Sequence, residues 1–256
     1  MKKVLYVLVL AMVLPVSSAC YAKKSANQSV KTDWEIDGLK GRVKKITMVE
    51  YETREENGSL VKDRVHRTMT NEYDKHGRKV LTTGDYGLGP FKMTYTYGGD
   101  SVVIRAYEDG SDEPSFETAI YYTSWGDFQT EVHRSSQYPS VSRTEYSYNE
   151  NHQKIGEVTY KNGELKSTTS DYVYDEQGHL TTYSLNDANG NMTMIYSYTY
   201  DENGLKASYT FIRLEGFVTG TYDYINEVDK QGNCIRTVKT SSYFRNMITE
   251  QEIEYY

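Results

Sequence analysis

From about residue 42 onward, aromatic and apolar positions recur at every second residue. In the stretch 192–200, Met192, Met194, Tyr196, Tyr198 and Tyr200 share one face, and Thr193, Ile195, Ser197 and Thr199 take the other. Ser142, Thr144, Tyr146 and Tyr148 alternate in the same way with Arg143, Glu145 and Ser147, and Met93, Tyr95 and Tyr97 form another row. Successive side chains of an extended chain point to opposite faces, so a period of two predicts strands with one aromatic face and one wet face. Helical periodicity is absent after residue 40.

The punctuation between these rows repeats. Tyr73-Asp74-Lys75-His76-Gly77 returns as Tyr174-Asp175-Glu176-Gln177-Gly178, as Tyr200-Asp201-Glu202-Asn203-Gly204 and as Val228-Asp229-Lys230-Gln231-Gly232, with a looser copy at Tyr148-Asn149-Glu150-Asn151-His152. The last four units end at 152, 178, 204 and 232, in steps of 26, 26 and 28. Trp125-Gly126 and Gly98-Gly99 continue the series upstream. A second set, including Asn57-Gly58, Asp109-Gly110, Tyr138-Pro139, Asn162-Gly163, Asn189-Gly190 and Glu215-Gly216, falls half a period later. Two turns per period mean two strands per repeat. The chemistry fits: Asp at the first position hydrogen-bonds back to the turn backbone, and Gly at the fourth takes a positive φ without steric cost. His152 replaces that Gly with a residue that tolerates the same region.

The predicted fold is all-β: an antiparallel meander of tandem hairpins, about 16 strands from Arg42 to Tyr256, curled into an open roll or half-barrel. A flat sheet that wide would measure roughly 75 Å at the usual strand spacing, and such sheets curl or split. Residues 41–256 form one domain and 23–40 a flexible linker.

Residues 1–22 read as a signal segment: Lys2-Lys3, an apolar run from Val4 to Leu14, then small residues up to Cys20 and Ala22. The run is too short to span a bilayer as a helix. Two processing routes stay open, lipidation of Cys20 or ordinary cleavage after Ala19 or Ala22. Either places the protein outside the cytoplasm, in the periplasm, on the outer membrane as a lipoprotein, or at the cell surface. Contact with membrane is expected only through such an anchor.

The chain carries a net charge of -7, and loss of Lys2 and Lys3 makes it more acidic. That argues against a nucleic-acid partner, which needs clustered Lys and Arg. A lipid-embedded barrel is disfavoured because Glu131 to Gln137 and Glu164 to Ser170 lack an alternating apolar row, and Glu250, Glu252 and Glu254 precede Tyr256 on its own face. With Cys20 removed or lipidated, Cys234 has no partner for a disulfide and reads as a structural thiol.

No motif in the sequence identifies an enzyme or a cofactor. The five histidines, His66, His76, His133, His152 and His179, fit no catalytic or zinc spacing. Asp187-Ala188-Asn189-Gly190-Asn191 resembles part of a calcium loop, but Tyr198 stands where the bidentate Glu belongs, and a hairpin turn is the better reading. No metal site is expected. The abundant carboxylates leave a glycan-acting hydrolase as the alternative, with acids placed in the sheet concavity.

The 26 tyrosines are the feature able to bind something. Tyr146, Tyr172, Tyr174, Tyr198 and Tyr200, paired before the strong turns, are the candidate binding row, facing a protein or glycan partner or serving simply as the core face of a spacer.

The Tyr-Asp-x-x-Gly units at 73, 174 and 200, the variant at 228 and the upstream Tyr-x-Tyr resemble the tyrosine–aspartate (YD) repeats of Rhs-type bacterial surface proteins, over roughly residues 70 to 235. The leading segment Leu39 to Ile46 is similar to that of small exported YD-type proteins. The resemblance implies a hairpin strip, exported or at the cell surface, and no known reaction.

Overall fold

The computed structural model describes residues 31–136, 140–241 and 243–256. The signal segment, Cys20 and the turn at Tyr138-Pro139 lie outside the described residues. A single-turn helix α1 (Asp33–Ile36) precedes sixteen strands: β1 (Val43–Glu56), β2 (Ser59–Tyr73), β3 (Lys79–Asp85), β4 (Pro90–Tyr97), β5 (Ser101–Glu108), β6 (Phe116–Tyr122), β7 (Phe128–Ser135), β8 (Val141–Tyr148), β9 (Lys154–Lys161), β10 (Glu164–Tyr174), β11 (Leu180–Asp187), β12 (Met192–Tyr200), β13 (Lys206–Arg213), β14 (Val218–Val228), β15 (Cys234–Ser241) and β16 (Met247–Tyr255).

Each strand pairs antiparallel with its sequence neighbours, and β1 pairs with β16, so the sheet is a closed barrel. The expected open roll or half-barrel is therefore corrected. The closing ladder runs from Val43 opposite Tyr255, through Ile46 opposite Ile253, to Glu52 opposite Met247. Closure removes the two unpaired edges that an open meander would expose. Nothing local announces it, because the ladder joins residues from opposite ends of the chain.

The turns follow the chemistry read from the repeat. Asp175 Oδ1 accepts from the backbone N–H of Gln177 and His179, at 3.0 and 2.7 Å, while Gly178 sits at φ 87°. Asp74, Asp201 and Asp229 brace their turns in the same way, and Asn149 does so with His152 at φ 60°. Thr123 takes the Asp position in the Trp125-Gly126 copy, its hydroxyl receiving Trp125 and Asp127 N–H. These turns all lie on the rim where β1 starts.

The same rim carries α1. Thr32 and Glu35 form a reciprocal capping box. Trp34 Nε1 donates to Val43 O at 2.8 Å, and its ring packs with Leu39, Ile253 and Tyr255 on the buried trio Val43, Ile46 and Tyr73. Asp33 accepts from Tyr97 Oη and from Lys79 N, and Asp37 accepts from Tyr73 Oη at 2.6 Å and pairs with Lys79 Nζ at 2.9 Å. Lys31 reaches Asp127 at 2.6 Å, and Asp127 also holds His152. Thus part of the segment read as a linker, from Lys31 to Lys40, is laid along one rim and tied to several turns.

The register divides the side chains into two rows. One contains the residues bonded to α1, together with Met69, Asn71, Thr82, Val102, Thr118, Tyr122, Tyr198, Phe211 and Met247, all buried. This row faces inward. The other carries Arg105, Glu117, Arg134, Arg143, Asp223, Ile225 and Glu252 and faces out. A 16-stranded barrel is about 30 Å across between backbones, too wide for side chains to fill. In keeping with that, most inward tyrosines are half-buried rather than sealed.

Candidate functional site: the tyrosine-lined inner wall

The inward row of β10 to β14 carries a run of stacked rings. Tyr172 stacks on Tyr183 at 5.4 Å between centroids, and Tyr183 on Tyr196 at 4.7 Å. Tyr198 stacks on Tyr209 at 5.3 Å and Tyr209 on Tyr222 at 5.6 Å. Phe244, in the β15–β16 loop, closes the run by stacking on Tyr222 at 5.5 Å and 7°. The rings follow the strand spacing because opposite residues of antiparallel strands stand 4.5–5.5 Å apart, which suits aromatic pairs. Register puts Tyr198 opposite Tyr209, and Tyr209 opposite Tyr222.

The stacking has a chemical consequence. The ring faces are occupied by neighbouring rings, so the wall offers edges and hydroxyls to the lumen. Some hydroxyls are already engaged: Tyr172 shares a hydrogen bond with Thr169 Oγ1 at 2.6 Å, and Tyr196 donates to Met194 Sδ at 3.1 Å. The hydroxyls of Tyr209, Tyr222 and Tyr224 have no hydrogen-bond partner among the described residues. Burial pushes Tyr224 up to about 12, so these phenols are neutral donors and acceptors at neutral pH.

The five tyrosines singled out from the sequence separate into three groups. Tyr172 and Tyr198 belong to the stacked run. Tyr146 stands apart, donating to Glu131 at 2.9 Å beside Phe128, with Lys154 lying 5.5 Å from both its ring and that of Tyr172. Tyr174 and Tyr200 are latches: their hydroxyls donate to the backbone carbonyls of Lys154 and Leu180, at 2.6 and 2.7 Å, where the preceding strand begins. Tyr97 does the same to Lys79 O, and Asn226 takes the role on β14 by donating to Lys206 O. Of the three Tyr residues directly before Asp-x-x-Gly, Tyr174 and Tyr200 are thus bonded to the barrel's own backbone, and Tyr73 to Asp37 beside α1.

Reading outward from the strong turns missed Tyr183, Tyr209 and Tyr222, which lie away from them. The alternation Tyr209–Phe211 and Tyr222–Tyr224 was the available signal.

Other candidates resolve into structure. Asp187 Oδ1 accepts from Asn189 and Asn191 N–H at 2.9 Å, and Asn191 Nδ2 reaches Oδ2, so its oxygens brace the hairpin. Cys234 is half-buried against Thr237 Oγ1, and burial pushes its thiol up, away from thiolate chemistry. Inward carboxylates are engaged locally: Glu157 by Lys154 at 3.1 Å, Glu50 by Arg67 at 3.0 Å, and Glu52 by Arg64 and Arg245 at 2.9 and 2.6 Å.

No family model matches the chain, and no curated protein matches it. Similar solved structures include a chain from the TcdB2-TccC3-Cdc42 complex, whose TM-score of 0.32 carries no weight for the fold. A porin-like protein from Bacteroides vulgatus is 14% identical with a TM-score of 0.52, over 84% of this chain and 98% of its own. A porin-like protein from Bacteroides uniformis is 13% identical with a TM-score of 0.55, over 83% of this chain and 96% of its own, so the fold is that of a porin-like β-barrel.

Proposed function

We propose that this is a non-enzymatic, exported binding barrel of the bacterial envelope, whose tyrosine wall holds a polyhydroxylated ligand, a saccharide, inside the lumen. The observation that carries the reading is the row of phenol hydroxyls on Tyr209, Tyr222 and Tyr224 without a partner among the described residues, two of them presented by stacked rings, Tyr209 and Tyr222. Stacked rings lose little further freedom on binding, and their hydroxyls both donate and accept, as sugar hydroxyls do. The signal segment supports export.

A glycan array followed by calorimetry tests this reading. Tyr209→Phe with Tyr224→Phe keeps the rings and removes two hydroxyls, and should weaken saccharide binding about tenfold or more. Absence of any saccharide ligand for the wild type, or an unchanged affinity in the double variant, overturns it.

A second reading, an outer-membrane pore, is favoured by the closed barrel of this chain and its likeness in fold to porin-like structures. The outer wall argues the other way. Arg105 and Arg134 flank Glu117 at 3.1 and 3.8 Å, and Arg143 pairs with Glu145 at 3.0 Å, all on outward positions. A lipid-facing Arg or Lys near the bilayer midplane costs about 2–4 kcal/mol. Conductance steps in a planar bilayer would establish the pore and displace the binding barrel.

A further inference from the structure

Across most of the inner wall, cations are neutralised by neighbouring acids: Lys79 by Asp37 at 2.9 Å, Lys154 by Glu157 at 3.1 Å and Arg67 by Glu50 at 3.0 Å. The sector from β12 to β15 differs. Its inward row has no Asp or Glu, yet it holds Lys206, Arg213 and Lys239. None of the three has an ion-pair partner among the described residues. Lys206 Nζ instead lies over the Tyr198 ring at 4.3 Å, and Lys239 Nζ over Tyr222 at 5.5 Å. Arg213, on the rim end of β13, lies close enough to Tyr196 to favour its ionisation against burial.

Register places these cations around the open hydroxyls. Lys239 stands opposite Tyr224, Tyr222 stands opposite Tyr209, and Lys206 and Arg213 mark the two ends of β13. The ends of β13 are roughly 24 Å apart at about 3.4 Å per residue, long enough for a chain of rings rather than a single one. Two acids border this sector: Glu50, which acts on Lys239 but is paired with Arg67 at 3.0 Å, and Asp201, whose oxygens accept from its own turn and from Asn226 Nδ2 at 3.1 Å. Burial alone pulls Lys206 down to about 8, as expected of an amine with no counter-charge.

We infer that the saccharide bound by this wall is acidic, a carboxylated or sulfated glycan whose anionic groups pair with Lys206, Lys239 and Arg213 while its hydroxyls meet Tyr209, Tyr222 and Tyr224. The inference rests on the saccharide-binding reading above and names the ligand class. A single-stranded nucleic acid also combines anions with rings, but it needs free aromatic faces for its bases, and here Tyr209 and Tyr222 are stacked against neighbouring rings.

The test compares three probes of matched length by calorimetry on the full-length protein: oligogalacturonate, its methyl ester, and a sulfated oligosaccharide. An oligothymidylate serves as the contrasting polyanion. Oligogalacturonate or the sulfated probe should bind about tenfold or more tightly than the uncharged ester, and the advantage should shrink at high salt. Lys206→Gln with Lys239→Gln should abolish the advantage, and Lys239→Arg should retain it. Preference for one acidic probe identifies which anion the wall takes. Equal binding of acid and ester overturns this inference and leaves saccharide binding standing. No binding by any saccharide overturns both, and tighter binding of oligothymidylate overturns the choice of ligand class.

Discussion

Gly220 lies directly opposite Phe211 on the neighbouring strand, and the phenyl ring rests where a Cβ of residue 220 would stand. Gly84 and Phe91 repeat the arrangement between β3 and β4, where the ring also stacks on Tyr86 at 4.7 Å. In each case the glycine makes room for an inward aromatic to lie flat along the wall. Gly220→Val should therefore displace Phe211 and cost about 2–3 kcal/mol, read as a lower urea midpoint. A midpoint equal to wild type would mean that the ring moves aside freely.

The repeat turns impose a different demand on glycine. Gly204 sits at φ 76°, close to His179, and a β-branched residue resists that conformation. Gly204→Val should lower stability by about 2 kcal/mol and Gly204→Asn by less than about 1 kcal/mol. Melting temperatures of the two variants check the order.

Alkali should unfold this protein cooperatively. Burial pushes Tyr183 and Tyr224 up to about 12, and pushes Tyr73, Tyr97, Tyr146 and Tyr198 further in the same direction. A raised folded-state value means the folded chain keeps protons that the unfolded chain releases. The contribution is full below the unfolded value of 10.0 and is lost as pH climbs through the folded values. Phenolate absorbance should then rise together with loss of the β-sheet circular dichroism signal. Gradual phenolate titration near pH 10 with the sheet intact would contradict it.

Lys206 has the opposite sign. Burial lowers it to about 8 from 10.5, so the unfolded chain binds the proton more tightly and the penalty is fully present below pH 8. Lys206→Met should stabilise the protein at pH 7 by on the order of 2 kcal/mol, and the gain should fade as pH rises from 8 toward 10.5. Chemical denaturation of both proteins at pH 7 and pH 10 measures the difference.

Much of the hairpin array is legible in the sequence because its determinants are local. Asp175 reaches backbone two and four residues on, and Tyr196 and Tyr198 declare their shared face by spacing alone. The closing ladder between Val43 and Tyr255 is not local, and neither strand carries a residue type that marks it as a seam. The stacked tyrosine run was legible only in part. Tyr174 and Tyr200 look like Tyr172 and Tyr198 in the sequence, yet their hydroxyls point to backbone carbonyls of the adjoining strand. The helix α1 left one faint trace, the Thr32 to Glu35 spacing, and its anchors Asp33 and Asp37 find partners up to 64 residues away.

Antiparallel closure of β1 onto β16 requires an even number of strands, because an odd count would bring first and last together in the parallel sense. A repeat of 26 residues adds two strands at a time and so preserves parity whenever it is duplicated or lost. Rings of this kind are thus free to change girth by whole repeats during evolution, each step giving a wider or narrower lumen that still seals, whereas insertion of a lone strand would leave the cylinder mismatched at its joint.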